Sequence, residues 1–578
     1  MSKLSIDQKN IMSLFQDKKS DFLIPDYQRP YAWTETECLT LWDDLFEFAI
    51  PDNNADKFNK DDEYYLGPIV TFKNEDNKLE IIDGQQRLTT LMLLLRAFHV
   101  KFLHAQDENS VKTRESIEKC IWKTDEFGKP NMNELKIDSE VATDEDKEDF
   151  LQILKTGIVE KNQKSKYAIN FRFFQHKIEE FVGMFPMYSA IFPIRILNNC
   201  ILLPIEADNQ NTALRIFSTL NDRGMPLSDA DIFKAQFYKY FSNRGQKKEF
   251  IERWKELEEI CSKIFPSTTG SSMDELFTRY MYYERAKMGI KSSTTEALRK
   301  FYEKDSYALL RKDETLDNLE KLAQFWNNVY SQNKEYFSSE VLRKLYILNS
   351  APNSMWTYFL SVYFMQNKDF EGKLEETKLI KFLDKSIAFI WTYAIVNPGV
   401  NALRTPIYSE MINIINNQEI TFKEFLFDEN NVIKSIDNFN FWNQRPITRS
   451  MLTWWTFNNS EQKILNIKDI YEIEHIFAKN RQLQEKSLSN PSNLELLGNK
   501  SLLEERINIR ASDYRFVDKK KYYLGYTNAR NQWKEGTAIV ELRKLAEKDD
   551  FTENDIIDRN KQIINAFIVY LKDNDLIK

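Results

Sequence analysis

The fold of the N-terminal part of the chain follows from one stretch, Leu79-Glu-Ile-Ile-Asp-Gly-Gln-Gln-Arg-Leu-Thr-Thr-Leu-Met-Leu-Leu-Leu-Arg-Ala-Phe98. The apolar run that ends at Asp83 predicts a buried strand, Gly84 permits a tight turn, and the residues from Thr89 predict a helix. The sequence therefore predicts a strand, a turn and a helix in direct succession.

The start of this helix has the properties of an anion site. Unpaired backbone N–H groups and the positive end of the helix dipole attract phosphate, and the side chains of Gln85, Gln86 and Arg87 offer further donors. Asp83, at the strand end, is positioned to hold a divalent cation or to orient a water. In the alternative interpretation, Asp83 and Gly84 only form a turn and the glutamines cap the helix.

Two further segments favour a functional pocket. In Ile24-Pro-Asp-Tyr-Gln-Arg-Pro-Tyr-Ala-Trp33, Gln28 and Arg29 lie among aromatic residues that can stack on a base or a sugar. In Phe217-Ser-Thr-Leu-Asn-Asp-Arg-Gly-Met-Pro-Leu227, a polar turn precedes a predicted helix.

Together these three segments resemble the ParB-like, sulfiredoxin-fold domain of the GmrSD family of type IV restriction enzymes, whose signature is a DGQQR loop. The resemblance implies binding and hydrolysis of a nucleoside triphosphate (GTP, ATP, CTP or UTP) and sensing of modified DNA. No GxxxxGK[ST] P-loop occurs in the chain, so a nucleotide would need this different cradle. The matching positions are Gln28, Arg29, Asp83, Gly84, Gln85, Gln86, Arg87, Asn221, Arg223 and Gly224.

A second constellation lies near the C-terminus, in Tyr471-Glu-Ile-Glu-His-Ile-Phe-Ala-Lys-Asn480 and Leu497-Gly-Asn-Lys-Ser-Leu-Leu-Glu-Glu-Arg-Ile-Asn508. His475 suits a general base, and the neighbouring Glu474 is a hard oxygen ligand for Mg²⁺ or Mn²⁺. Asn508 can supply a second metal ligand from a following helix. Asn499 is expected to fix the loop between two strands, or the histidine ring.

This constellation resembles the HNH, or ββα-metal, nuclease domain that accompanies the DGQQR domain in GmrSD-type enzymes. The resemblance implies catalysis by His475, Glu474, Asn499 and Asn508. One departure is Ala478, where that family often has proline three residues after the histidine. The basic residues downstream are predicted phosphate contacts, although a solvated helix face would look similar: Arg506, Arg510, Lys519 and Lys520.

The chain as a whole reads as multidomain α+β and predominantly helical. Its 578 residues exceed what one core supports, and few of them are Gly or Pro. We expect a ParB-like nucleotide-binding and sensor domain over residues 1–245, a helical connecting region over 246–418, and an HNH endonuclease domain embedded in helices over 419–578.

The amino-acid composition argues against several classes of protein. A net charge of −8 argues against a surface that coats nucleic acid everywhere, so any DNA site must be local. Four widely spaced cysteines indicate neither a zinc knuckle nor a disulfide framework. The sequence has no export signal or membrane span, so we expect a cytoplasmic protein without a membrane partner.

The leading hypothesis is an anti-phage endonuclease whose N-terminal domain senses a nucleotide or modified phage DNA and whose HNH site nicks or cleaves DNA. Two alternatives remain open: a nucleotide-switched binding protein with a non-cleaving HNH fold, and an RNA-directed abortive-infection nuclease. The DNA modification, the preferred nucleotide and a homo-oligomeric state are not decided by the sequence.

Overall fold

A computed structural model describes residues 5–6, 8–141, 144–210, 212–213, 216, 228–265, 271–399, 401–512 and 515–578. The chain divides into two compact units, Met1–Lys255 and Glu256–Lys578. The predicted helical region 246–418 lies mostly in the second unit, together with the C-terminal segment.

The first unit contains a mixed seven-stranded sheet. Its order is β1-β9-β4-β5-β3-β8, with β2 also paired to β9. Strand β3 runs parallel to both β5 and β8, whereas β4 is antiparallel to β5 and parallel to β9. The strands of this unit, including the separate β6–β7 hairpin, are β1 (Ser5–Ile6), β2 (Lys9–Asn10), β3 (Phe22–Ile24), β4 (Tyr64–Lys73), β5 (Leu79–Asp83), β6 (Trp122–Thr124), β7 (Pro130–Leu135), β8 (Ile137–Ser139) and β9 (Cys200–Ala207).

Helices pack on this sheet around one long buried helix. The helices are α1 (Ile11–Gln16), α2 (Glu35–Ala49), α3 (Gln85–Phe102), α4 (Glu108–Ile121), α5 (Lys147–Thr156), α6 (Lys166–Met184), α7 (Ile191–Asn199), α8 (Asp229–Ser242) and α9 (Lys247–Ile264), the last of which crosses the division. Helix α3 is buried nearly all round, as expected of a helix in a core, and Leu91, Leu94 and Phe98 are fully buried.

The strand and the helix predicted around Gly84 are confirmed. The predicted strand is β5, and the predicted helix lies within α3. Strands β3 and β8 are too short to have been predicted, because three residues give too few alternations to be recognised. The fold is therefore the mostly helical α+β architecture that the sequence predicts.

The second unit is largely a bundle of helices followed by two small hairpins. Its helices are α10 (Ser272–Lys287), α11 (Leu298–Tyr302), α12 (Asp313–Tyr330), α13 (Ser339–Leu348), α14 (Met355–Asn367), α15 (Glu376–Val396), α16 (Arg404–Ile415), α17 (Glu429–Asp437), α18 (Pro446–Asn458), α19 (Lys479–Glu485), α20 (Glu505–Ala511), α21 (Phe516–Leu524), α22 (Val540–Leu545) and α23 (Glu553–Asp573). Strand β10 (Tyr471–His475) pairs antiparallel with β11 (Lys500–Glu504), and β12 (Gly525–Thr527) pairs with β13 (Trp533–Glu535).

The four cysteines are buried free thiols, as the spacing predicts. Burial raises the pKa of each thiol to about 12, so these side chains are packing groups.

Across the described ranges, no individual helix has the length and apolar character that crossing a bilayer requires. Lys166–Met184 and Pro186–Asn199 meet those criteria only when taken together, and the chain bends by 116° between them.

Candidate active site

The β10–β11 hairpin positions His475 at one of its ends. His475 lies opposite Lys500, and Tyr471 lies opposite Glu504 at the other end. Side chains alternate between the two faces of a strand, so His475 and Glu474 project to opposite faces. Helix α20 follows β11 directly and packs against both strands, which completes a ββα unit.

Glu474 is occupied by protein groups on its own face. It is 4% exposed, and one carboxylate oxygen accepts hydrogen bonds from Lys519 Nζ at 2.8 Å and from the Tyr523 hydroxyl at 2.7 Å. Burial, and then the adjacent carboxylate, raises the pKa of Tyr523 well above its ordinary value, so the phenol stays a donor. Glu474 therefore belongs to a buried polar cluster with Lys519 and Tyr523.

The structure places Glu474 and Lys519 differently from the sequence predictions. Glu474 was expected to be a metal ligand beside His475, but strand alternation turns it to the other face, where Lys519 neutralises it. Lys519 was expected at a DNA surface, yet its side chain has no exposed area and also donates to the His475 carbonyl oxygen at 2.7 Å. A lysine enclosed in this way cannot reach a phosphate.

Asn499 fixes the loop around the histidine. Its side-chain oxygen accepts from the Phe477 N–H at 2.7 Å, and its amide donates to the carbonyl oxygens of Phe477 and Leu494, each at 3.1 Å. The Ile476 N–H donates to the Asn499 carbonyl oxygen at 2.8 Å. These are the loop-fixing contacts that the sequence analysis expects of Asn499, and they hold both ends of the loop together.

The His475 imidazole is largely enclosed, and its Nε2 is a buried atom. Its side chain is 11% exposed, and Nε2 lies 3.6 Å from Oε1 of Glu495, beyond hydrogen-bond distance. Among the described residues, Nε2 has no hydrogen-bond partner. Burial lowers the pKa of His475, and Lys500 adds to this, although Glu495 acts in the opposite direction. The ring is therefore held neutral near pH 7, which is the form that accepts a proton.

Glu495 is a site residue that the sequence analysis missed. The contact with His475, followed by hydrogen bonds from Lys500 and Lys479, holds the pKa of Glu495 far below its ordinary value. Lys500 Nζ lies 2.5 Å from one oxygen and Lys479 Nζ lies 2.9 Å from the other. The available signal was a lone carboxylate in the apolar run before Asn499, but such a residue is usually only a solvated loop position.

Within the described ranges, no hydrogen bond joins the remaining predicted residues of this domain to the His475 ring. Asn508 is half-buried on α20, and its side chain makes no hydrogen bond with Glu474 in the described part of the chain. Arg506 and Arg510 are exposed on the same helix. Lys520 is half-buried and donates to the Lys548 carbonyl oxygen at 3.0 Å.

The residues do not fit the predicted metal site. Within the described ranges, no three His, Cys, Asp or Glu side chains converge as ligands for one ion. Glu474 is already paired with a lysine, and Glu495 carries two lysines that would repel a cation.

Ala478 has φ −67°, the angle that proline imposes, so the missing proline leaves the backbone path unchanged.

At the N-terminal loop, Asp83 ends β5 and Gly84 starts α3. Gly84 has φ +94°, a conformation that L side chains rarely adopt, and an added Cβ would also lie 3.2 Å from Ile69. This turn leaves the first N–H groups of α3 without partners inside the helix. Burial raises the pKa of Asp83, while the Gly84 N–H, Arg87 and Arg29 act to lower it.

The glutamines of this loop bind backbone groups of residues 25–33 and of β5. Gln28 Nε2 donates to the carbonyl oxygens of Ile81 and Ile82 at 3.3 and 3.2 Å. Gln85 Nε2 donates to the carbonyl oxygen of residue 29 at 2.6 Å. Gln86 Nε2 donates to the carbonyl oxygen of residue 30 at 3.3 Å, and Gln86 Oε1 accepts from the N–H of residue 32 at 2.7 Å. These side chains act as a clamp, which differs from their predicted role as phosphate donors.

Arg87 is also partly committed to the protein. Its Nη1 donates to the Pro68 carbonyl oxygen at 2.9 Å, next to the turn. Arg29 is half-buried, near enough to Asp83 to lower the pKa of that carboxyl group. The groups best placed to hold a phosphate are thus Arg29, Arg87 and the first N–H groups of α3. The predicted positions Asn221, Arg223 and Gly224 lie outside the described residues.

Comparison with protein-family models gives two matches. The model described as "GmrSD restriction endonuclease, N-terminal domain" matches residues 11–238, and the model described as "GmrSD restriction endonucleases, C-terminal domain" matches residues 428–566. The two matched ranges contain the DGQQR loop and the His475 hairpin respectively. A search of curated proteins gives no match.

Proposed function

Because the chain belongs to the GmrSD restriction endonuclease family, and so to the nucleases of the type IV restriction kind, we propose that His475 is the general base of a DNA-cutting HNH site. The observation that carries this proposal is the unpaired Nε2 of a neutral, enclosed imidazole. A neutral ring can accept a proton from the water that attacks a phosphodiester.

Glu495 completes the proposed proton transfer. When Nε2 takes the proton, the imidazolium forms 3.6 Å from a carboxylate oxygen and is stabilised by it. The contact with His475, together with Lys500 and Lys479, holds the pKa of Glu495 far below its ordinary value, so the negative charge is present before the reaction begins. Asn499 holds the loop that carries these groups.

We keep Mg²⁺ or Mn²⁺ in the proposal, since a cation can neutralise the charge that develops on a phosphodiester during cleavage. No step is derived through the ion, because Glu474 and Asn508 are not arranged as its ligands. Lys479 and Lys500, which pair with Glu495, place positive charge close to the imidazole.

For the first unit we propose binding and hydrolysis of a nucleoside triphosphate coupled to sensing of modified phage DNA. Support comes from the strand, turn and helix around Gly84, with Asp83, Arg29 and Arg87 grouped at the start of α3. Such a helix start with two arginines suits a phosphate group.

One observation favours a second candidate, a binding protein whose HNH fold does not cut. The carboxylate expected beside the catalytic histidine is neutralised by Lys519. Such a protein would bind DNA and nucleotide without hydrolysing the phosphodiester.

The test is a cleavage assay with the purified chain, Mg²⁺ or Mn²⁺, each nucleoside triphosphate, and matched modified and unmodified phage DNA. We expect nicks that chelation abolishes and that His475→Ala reduces by roughly 10²–10⁴-fold. Phosphate release, measured in the same tubes, should be unchanged in His475→Ala. Cleavage by His475→Ala at the unmutated rate would refute the assignment, and binding without any cleavage would favour the second candidate.

A further inference from the structure

An open cleft of about 700 Å³ lies at one end of the β10–β11 hairpin, and His475 lies at the other end. Tyr471 and Glu504, which face each other across the two strands, form part of its lining. Its volume is within the range typical of sites that enclose a small ligand, roughly 300–1,000 Å³. None of the proposed catalytic groups lines it.

The cleft and His475 lie at the two ends of the same hairpin. Tyr471 and His475 are four residues apart on β10, and side chains with even spacing on a strand project to the same side. At a strand rise of about 3.4 Å per residue, the two ends are separated by about 14 Å. That distance equals about four base steps along one strand of duplex DNA.

Trp533 forms an aromatic wall of this cleft. Its side chain is 63% exposed. The indole packs on Gly525, where an added Cβ would lie 2.6 Å from the ring atom Cζ2. Gly525 also has φ +96°, so both the nearby ring atom and the backbone conformation require a glycine there. One side of the ring therefore packs on Gly525, while much of its surface stays open for stacking.

The charges around the cleft are balanced. Glu504 is buried and its carboxylate accepts from the Thr537 hydroxyl at 2.6 Å and the Ala538 N–H at 2.7 Å. The exposed lining then carries three cations and three carboxylates: Lys468, Arg506, Arg543, Asp469, Glu505 and Glu535.

This balance favours a nucleobase over a run of phosphates. Binding a phosphate chain relies on an excess of Lys and Arg, which this lining lacks. A nucleobase is uncharged, presents donors and acceptors along its edge, and offers a flat surface for stacking. An exposed, packed indole flanked by both signs of charge matches these properties.

We propose that this cleft binds one unpaired or extruded nucleobase of the DNA substrate, stacked on Trp533. The inference rests on the proposed function in that it takes DNA as the substrate and His475 as the cutting site. It adds a second contact on the same strand path, and so places the cut within about four nucleotides of the captured base.

The test measures DNA binding by fluorescence anisotropy at one fixed salt concentration, with His475→Ala in the full chain so that the probe is not cut. The probes are a fluorescein-labelled duplex with a single bulged cytidine, the same duplex with an abasic residue at the bulge, and the fully paired duplex. We expect the bulged cytidine to bind roughly five- to hundred-fold more tightly than the abasic bulge, as base stacking on an aromatic side chain predicts. Trp533→Ala should remove this difference, and Trp533→Phe should retain most of it.

Arg530→Ala is the matched control, because Arg530 is an exposed cation in the turn of the same β12–β13 hairpin but does not line the cleft. It should leave the preference for the base unchanged. A second measurement does not depend on the alanine variant: 2-aminopurine at the bulge should lose fluorescence on binding, because it stacks on the indole.

Equal affinity for the base-containing and abasic bulges, or a preference that survives Trp533→Ala, would overturn the proposal. Cleavage of DNA by the unmutated chain is scored separately. If the chain cuts without any preference for the base, only the cleft proposal fails. If it prefers the base but never cuts, only the endonuclease proposal fails.

Discussion

The DGQQR loop and the His475 hairpin differ in how their polar side chains are used. Gln85 and Gln86 of the loop, and Gln28 of the segment that packs against it, donate their amides to backbone carbonyl oxygens of the same unit. At the hairpin, the His475 Nε2 has no hydrogen-bond partner among the described residues. The two motifs look equally functional in sequence, but more of the polar side chains in the DGQQR motif serve to hold the protein structure together.

The difference shows that a polar motif needs an account of its partners before it is assigned to a ligand. In the N-terminal unit a neighbouring chain segment or strand accepts from the amide nitrogen of each glutamine, whereas Gln85 Oε1 has no partner among the described residues. An unsatisfied ring nitrogen next to a carboxylate indicates a group kept available for another partner. The following predictions test this contrast between satisfied and available groups.

The largest expected effect is on stability, at the Glu474–Lys519 pair. Lys519→Met leaves Glu474 buried without its cation, so we expect a loss of about 3–5 kcal/mol in the free energy of unfolding, measured by denaturant titration. Glu474→Gln combined with Lys519→Met should recover much of that loss, because both charges are then absent. The surface variant Lys521→Met, two residues away, is the control. A negligible effect of Lys519→Met would mean that this lysine is exposed and free for DNA.

The next effect is on activity, at Glu495. Glu495→Gln removes the charge that stabilises the imidazolium, so we expect cleavage to fall by roughly 10–100-fold. Glu495 raises the pKa of His475 against the effect of burial, so without its charge that pKa falls further. Since the base must be neutral, the acidic limb of the pH–rate profile should move to lower pH. An unmoved limb would separate Glu495 from the reaction. Glu485→Gln, an exchange on the neighbouring helix α19, is the control.

The smallest effect is expected at Gln28. Gln28→Met removes two long hydrogen bonds to β5, and we expect a loss of about 0.5–1.5 kcal/mol, measured by thermal unfolding. Nucleotide affinity should stay close to that of the unmutated chain, whereas Arg29→Ala should weaken it. If Gln28→Met instead abolishes nucleotide binding at unchanged stability, the glutamine is a ligand and the contrast between the two regions disappears.

Much of the fold was predictable because it depends on local pattern. The apolar run before Asp83, the glycine after it and the long helix that follows were all found at the predicted positions. His475 at a strand end and Asn499 in the loop before the paired strand were also predictable, since their spacing indicates a hairpin. Family membership follows from the same two segments.

The partners of the site residues were not predictable. Lys519 lies 45 positions from Glu474 in the sequence, yet their side chains meet at 2.8 Å. Glu495 resembles any loop carboxylate until the chain brings Lys479, Lys500 and His475 around it. Trp533 resembles an ordinary hairpin residue until Gly525 and the end of β11 form a cleft beside it.

The strand, turn and helix around Gly84, the ββα unit and the choice of His475 as the proposed base were all evident from the order of residues. Local periodicity and the special conformation of glycine operate over a few residues, so they can be recognised without a structure. Three features depend instead on how the chain folds: which carboxylate faces His475, which one Lys519 neutralises, and where the cleft opens. Those outcomes depend on contacts between distant segments, and no local rule specifies which segments meet.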